Sequence, residues 1–216
     1  MSTSAASRPV EWDDELLASA LVEKHPLAAR VAWDRFSPMV RRMLRRSLGP
    51  QHDVEDVVQD VFLGLFQRVA TLRDPRALKA FVMGIAVHTV RSTIRRARVR
   101  RWLMLPHTAE SPEPRALSAD GDTQHALIHF YRLLDRLHER DRVAFVLRYI
   151  EGMEAAEVAE ALGVSIPTAR RAFTHARERI ALLAQRDPFL RGYLREFKRD
   201  AMRDAPQVNP LPALAS

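Results

Sequence analysis

The sequence predicts an all-α protein: two helical domains joined by a Pro-rich linker, the C-terminal one a helix-turn-helix. Three observations lead there. Apolar residues recur at helical spacing through most of the 216 residues, and alternating strand patterns are absent. Gly and Pro are few inside the periodic segments and collect between them. One stretch, LMLPHTAESPEPRALSADGD, loses the periodicity altogether; Pro106, Pro112 and Pro114 among small and acidic residues mark residues 103–122 as a linker. Chains of this kind must bury their helix stripes against one another.

In chain order, residues 1–12 read as a loose N-terminal tail. A helix then runs from Asp13 or Asp14 to Lys24, with Leu16, Leu17, Leu21 and Val22 inward. Pro26 begins a second helix, carrying Val31, Trp33 and Phe36. Ser37 and Pro38 form a cap-and-start pair that opens a third, Met39 to Leu48, stopped by Gly49 and Pro50. Arg41, Arg42, Arg45 and Arg46 form a solvated face of that helix. Next, Val54, Val57, Val58, Val61, Phe62 and Leu65 give one apolar stripe, with Asp53 as N-cap and Glu55, Asp56, Gln59 and Asp60 on the opposite side. Asp74 caps and Pro75 starts the following helix, whose stripe is Leu78, Phe81, Val82, Ile85, Val90 and Ile94. Its end is an arginine comb, Arg91, Arg95, Arg96, Arg98, Arg100 and Arg101, closed by Trp102.

After the linker the pattern resumes at Thr123, with Leu127, Phe130, Tyr131, Leu134 and Leu137 on one stripe. Asp141 caps the next helix, which carries Val143, Val146, Leu147 and Ile150 and breaks at Gly152. AAEVAEALGVSIPTARRAFTHARERI then fits a helix-turn-helix position by position. Val158 and Leu162 face the core, Ala159 permits close crossing, Gly163 supplies the turn, Val164 plugs the corner and Ser165 caps the second helix. Ala169, Phe173, Ala176 and Ile180 are its buried stripe. Ser165, Pro167, Thr168, Arg170, Arg171 and Thr174, with His175 and Arg177 flanking, are the positions that reach a major groove. From Asp187 to Ser216 the chain extends further, and Pro188, Phe189, Leu190, Tyr193, Leu194 and Phe197 suit one more amphipathic helix.

Composition narrows the chemistry. Lys and Arg total 34 against 27 Asp and Glu, a formal charge of +7 that favours a polyanionic partner. There is no cysteine, which excludes disulfides, thiolate metal sites and thiol catalysis. No glycine-rich phosphate loop or HExxH is present, and His125 and His129 lack a third ligand at a sensible spacing. The expectation is a binding protein with no catalytic residues, no metal and no cofactor. No signal peptide precedes the first helix, and no apolar run reaches the roughly 20 residues that cross a bilayer, so a cytoplasmic protein without membrane insertion is expected.

An acidic helix face suits a basic protein surface, and an arginine-rich one suits phosphate. DVEDVVQDVFLGLF, a short connector, RDPRALKAFV and a basic tail together resemble the second conserved region of bacterial sigma factors, in the compact extracytoplasmic-function (ECF) class of the sigma-70 family. LHERDRVAFVLRYIEGM and the helix-turn-helix after it resemble that family's fourth region. The resemblance implies core RNA polymerase and promoter DNA as partners, and for many relatives an anti-sigma factor. It places residues 13–102 as a region 2-like domain, 123–186 as a region 4-like domain and 187–216 as a C-terminal extension. It implies that Asp53, Glu55, Asp56, Gln59 and Asp60 meet the polymerase clamp. Phe81, His88, Arg91, Ser92, Arg95 and Arg96 would meet the upstream hexamer and help melt it, and the helix-turn-helix would read the distal hexamer. Phe81, Gly84, His88 and Ser92 depart from the usual Trp, basic, Asn and Asp of the family, so no promoter sequence follows from them. A stand-alone helix-turn-helix repressor or activator is the alternative; it has no use for the acidic face.

Overall fold

The computed structural model describes residues 12–50, 52–103 and 121–192. The N-terminal tail, most of the linker, and the extension beyond residue 192, with Tyr193, Leu194 and Phe197, lie outside the described residues. Among those described there are helices and turns and no strand.

Helix α1, Asp14–Val22, starts where the Leu16 amide donates to the Asp13 carboxylate at 2.7 Å. It buries Leu17, Ala18, Ala20 and Leu21. Leu16 and Val22, expected inward, are 44% and 49% exposed: a nine-residue helix meets its neighbours over one narrow arc, and both lie beside it. Helix α2, Ala28–Leu48, corrects the expectation of a break at Ser37 and Pro38. Pro38 sits exposed inside a continuous helix, and Ser37 is buried. The ring removes one main-chain hydrogen bond, but Ala32, Phe36, Val40, Met43 and Leu44 form one buried stripe on both sides of it, and that packing holds the helix together. Gly49, with φ of +93°, ends it as expected.

Helix α3, Glu55–Arg68, buries Val58, Val61, Phe62, Gly64 and Leu65. Its first turn is closed one residue later than expected: Val54 is the cap, and the Asp53 carboxylate accepts from the Glu55 amide at 3.1 Å. A 3-10 turn at Pro75–Ala77, capped by Asp74, leads into helix α4, Leu78–Leu103. Asp14 ties the start of α4 to the first two helices, accepting from Arg35 at 3.1 Å and from the Lys79 amide at 3.3 Å. Helix α4 is buried on two sides. Leu78, Val82, Ile85 and Ala86 pack towards α3, where a Cβ on Gly64 would stand 3.1 Å from Ile85 Cγ2. Met83, Val87, Val90 and Ile94 fill a second arc, a third of a turn away, and the second domain also packs against this helix.

The second domain comprises α5 (Gly121–Leu134), α6 (Glu139–Phe145), α7 (Ala155–Leu162) and α8 (Ile166–Arg186). His138, not Asp141, caps α6, its side chain accepting from the Arg140 amide; Asp141 is buried against His175 instead, 3.0 Å from its Nδ1. The helix expected to run on to Ile150 widens into a π-turn at Val146–Ile150. Such turns absorb one extra residue and redirect the side chains that follow. The helix-turn-helix matches the expected register: Val158, Ala159 and Leu162 are buried, Gly163 is left-handed at φ +64°, and Ala169, Phe173, Ala176 and Ile180 line the core. Ser165 holds the cap position, but its hydroxyl bonds Thr168 Oγ1 at 2.8 Å and no main-chain amide. A reciprocal pair, Glu154 and Glu157, closes the start of α7.

Two apolar cores result, and they do not follow the domain boundary. One joins α1–α4 to Val143, Ala144, Leu147, Val158, Leu162, Ala169 and Phe173 of the second domain. The other packs α5, the end of α6 and the latter half of α8 with Leu190. The sequence reads as two helical domains joined by a Pro-rich linker, and its periodicity carries no sign of a core shared between them.

Two glycines test this description. At Gly163 a Cβ meets open space, but the left-handed backbone disfavours any side chain, so Gly163→Ala should cost about 1 kcal/mol. At Gly84 a Cβ also meets nothing within 4 Å, which removes the close contact that a helical glycine suggests. Gly84→Ala should therefore stabilise the protein by roughly 1 kcal/mol. Urea unfolding of the two variants checks both, and shifts of the same sign would contradict the assignment.

Candidate functional site

Three exposed surfaces carry the residues singled out by sequence. The first is the outer side of α3. Asp56, Gln59 and Asp60 are exposed along it, and among the described residues no ion pair engages Asp56 or Asp60. Asp53 is exposed at its head. Glu55 is different: Arg41 of α2 grips its two oxygens at 2.8 and 2.9 Å, and Arg45 stands 3.7 Å away. The hydrogen bond from Arg41 holds the Glu55 carboxyl below the usual carboxylate range, and the same pairing raises Arg41. Glu55 thus stitches α2 to α3. A lowered carboxyl contributes stability above its ordinary range and loses it as acid protonates the folded form. The α2–α3 tie should weaken only below the normal range for glutamate; a carboxyl NMR titration of Glu55 with an ordinary midpoint would contradict the pairing. Sequence reasoning missed Leu63 and Phe66, which are 57% and 40% exposed and continue the same stripe at three- and four-residue steps from Asp56, Gln59 and Asp60. Their spacing was the available signal.

The second surface is α4, which holds no acidic residue along its length. Phe81, His88, Ser92 and Arg95 fall on one line, between its two buried arcs. His88 and Arg95 are exposed, Ser92 is half-buried, and Phe81 is half-buried against the first core. Arg91 stands on the flank facing the second domain, and Arg96 on the opposite flank, its Nε 3.4 Å from the Ser92 carbonyl. Beyond them Val99 and Trp102 are 50% and 72% exposed.

The third is the start of α8. Pro167, Arg170 and Arg171 are exposed, and Thr168 and Thr174 half-buried. Thr168 Oγ1 also accepts from Arg171 at 3.4 Å, which sets that arginine beside Ser165. His175 is held by Asp141, which fixes α8 against α6. A groove of about 440 Å³ beside α8 is lined by Arg170, Thr174, Arg177, Phe173 and, from the π-turn, Arg148. Arg148 lies 5.9 Å from the Phe173 ring centre and donates to the Met153 carbonyl at 2.8 Å. No pattern in the sequence marks Arg148, because the π-turn aims it there.

The arginines of α2 need correction. Arg42 and Arg45 are exposed and Arg41 and Arg46 half-buried, but the four are not left to solvent alone: Arg41 and Arg45 serve Glu55, while Arg42 and Arg46 meet Glu151 of the second domain at 3.1 and 3.0 Å. The two histidines of α5 also have other work. His129 bonds Asp187 at 2.8 Å and stacks on Phe189, and His125 meets the same ring edge-on. Burial alone would raise the Asp187 carboxyl; the hydrogen bonds from His129, Leu190 and Phe189 together bring it below the ordinary range. This cluster pins the first turn of the C-terminal extension to α5.

An acidic face, an acid-free arginine helix and a helix-turn-helix on one small chain define a DNA-binding adaptor that carries a second, protein-facing surface. Comparison with known proteins agrees. Residues 32–100 match sigma-70 region 2, and residues 128–180 match sigma-70 region 4. The ECF sigma factor ShbA of Streptomyces griseus is 31% identical over 185 residues, covering 82% of this chain and 92% of the relative. The ECF sigma factor SigE of Mycolicibacterium smegmatis is 29% identical over 185 residues, covering 79% and 69%. The ferric citrate uptake sigma factor FecI of Escherichia coli is 28% identical over 150 residues, covering 66% and 83%. The fold is similar to that of CnrH, solved in complex with the cytosolic domain of CnrY, with a TM-score of 0.57 over 81% of this chain and 98% of the other at 24% identity. The chain belongs to the sigma-70 family, in its extracytoplasmic-function class. It is a sigma factor that binds core RNA polymerase and directs it to promoters, which decides against a stand-alone repressor. No helix among the described residues is long and apolar enough to cross a membrane.

Proposed function

We propose that residues 13–102 form the region 2 domain, which docks on polymerase through Asp53, Asp56, Gln59 and Asp60, with Glu55 bracing that face and Leu63 and Phe66 extending it. The observation that carries the docking assignment is the exposed acid pair Asp56 and Asp60, which have no ion pair among the described residues while Glu55 and Glu151 have two arginines each. Phe81, His88, Arg91, Ser92, Arg95 and Arg96 engage and help open the upstream hexamer; the arginines hold backbone charge, and Phe81 and His88 offer rings to unstacked bases. Residues 123–186 form the region 4 domain, in which Ser165, Pro167, Thr168, Arg170, Arg171 and Thr174 read the distal hexamer. The protein acts in the cytoplasm, is not an enzyme, and melts DNA through binding energy alone. An anti-sigma factor that covers these faces fits the same reading, as CnrH is bound by the cytosolic domain of CnrY.

Co-purification with core RNA polymerase, followed by run-off transcription on genomic fragments, tests the whole. Stable binding with promoter-selective transcripts is expected. Operator binding by the free chain, with no polymerase association, would refute it.

A further inference from the structure

Helix α4 outruns the body of the protein. Ile94 is its last buried residue among those described, and the roughly two and a half turns that follow stand outside both cores. That projection is not wholly polar. Val99, Trp102 and Leu103 are 50%, 72% and 67% exposed. They stand three and four residues apart, so they adjoin on the helix surface. A single exposed apolar side chain is ordinary, but three that adjoin on a projecting helix mark a contact surface.

Their direction says what they meet. At about 100° per residue Val99 lies directly above Phe81, five turns on. Leu103 falls about 40° to one side of that line and Trp102 about 60° to the other. His88, Ser92 and Arg95 occupy the same arc, so the three apolar groups continue the line on which those residues lie. Arginines border them on both sides: Arg96 and Arg100 beside Leu103, Arg95 and Arg98 beside Trp102, all four exposed. The helix holds no acid to offset them. Such a surface repels a basic partner and suits a polyanion that carries an apolar feature. Duplex DNA has one, since the thymine methyl is the apolar group among the base edges of the major groove.

We propose that Val99, Trp102 and Leu103 form an apolar tip that reads thymine methyls in the duplex adjoining the upstream hexamer, on the side towards the distal one, with Trp102 as its specificity-determining residue. The inference rests on the assignment of α4 to the upstream hexamer. Trp102 stands seven residues past Arg95, about 10 Å along the axis, which is about three base pairs of duplex. The carboxy-terminal end of α4 leads on to the second domain, whose helix-turn-helix reads paired DNA, so the bases past that end stay paired and show their major-groove edges. The arginines hold the flanking phosphates while the tip discriminates thymine from cytosine, which lacks the methyl.

The test uses the full chain with core polymerase, on a promoter recovered by run-off transcription. Thymine is placed in turn at the first few base pairs beyond the hexamer, and then replaced by deoxyuridine, which lacks only the methyl. At one or two positions the replacement should lower holoenzyme affinity about fivefold, and Trp102→Ala should lower it about tenfold with polymerase affinity unchanged. Both changes together should cost no more than Trp102→Ala alone, because they remove the same contact. Trp102→Phe should keep the preference for thymine. A photoreactive 5-iododeoxyuridine at the sensitive position should cross-link to Trp102. Equal affinity for thymine and deoxyuridine at every position, or losses that simply add, would overturn the tip. So would a loss of polymerase affinity in Trp102→Ala, which would turn the tip towards protein. The same photoreactive base inside the hexamer separates the two readings. Cross-links there to α4, with no methyl preference beyond it, would remove the tip alone; none to α4 at any position would overturn the tip and the hexamer assignment together.

Discussion

Changing Asp56 and Asp60 to Arg is expected to lower affinity for core RNA polymerase by a hundredfold or more while leaving the fold intact. The two carboxylates lie one turn apart on the open side of α3, and among the described residues no ion pair engages them. Surface changes of this kind usually move stability by less than about 0.5 kcal/mol. At a docked interface the same change turns attraction into like-charge contact, which costs several kcal/mol. Glu55 is the instructive contrast. It belongs to the same run of acids, but its partner is Arg41, so reversing its charge should damage the α2–α3 packing as well as any docking. A titration with labelled core polymerase, beside circular dichroism of each variant, separates the two. Normal binding by the Asp56/Asp60 variant would move the docking surface elsewhere.

Replacing Arg170 and Arg171 by Ala should weaken use of the distal hexamer by roughly a hundredfold, with polymerase affinity unchanged. Both side chains stand exposed in the second turn of α8, beside the Ser165–Thr168 pair. A well-formed arginine contact to a base edge contributes about 1–3 kcal/mol of discrimination. Where an arginine meets phosphate instead, its loss lowers the salt dependence of binding by nearly one ion and leaves sequence preference alone. Holoenzyme binding to promoters with the distal hexamer intact or scrambled, measured across salt, reads both effects. A variant that lost polymerase affinity instead would show that α8 faces protein rather than DNA.

Much of the local structure was legible. The extent of α3 and α4, the Asp74–Pro75 start and the whole register of the helix-turn-helix follow from spacing and from residues with strong conformational preferences. Gly163 is the clearest case, because a left-handed turn residue announces itself. The misses share a cause. Pro38 has the local preference of a helix start, but a stripe buried on both sides of it outweighs a single lost hydrogen bond. Asp141 precedes an apolar run and so suits a cap, but His175, 34 residues away, claims it. The π-turn at Val146–Ile150 carries no sequence mark at all, and with it went the placing of Arg148.

By itself the sequence determined that this protein is helical, that it has two modules in a set order, which faces are acidic or basic, and where the helix-turn-helix lies. Those properties repeat every turn and need no knowledge of what lies across the fold. Only the tertiary structure decided which charges are free. Arg42 and Arg46 meet an acid more than 100 residues away, Arg41 takes Glu55, and Asp56 and Asp60 stay exposed with no ion pair among the described residues. It also decided that the modules share a core, in which residues of α1–α4 pack with Val143, Leu147, Val158 and Phe173. An ion pair or a common core depends on distance in space, and helical periodicity holds no record of that once a linker has intervened.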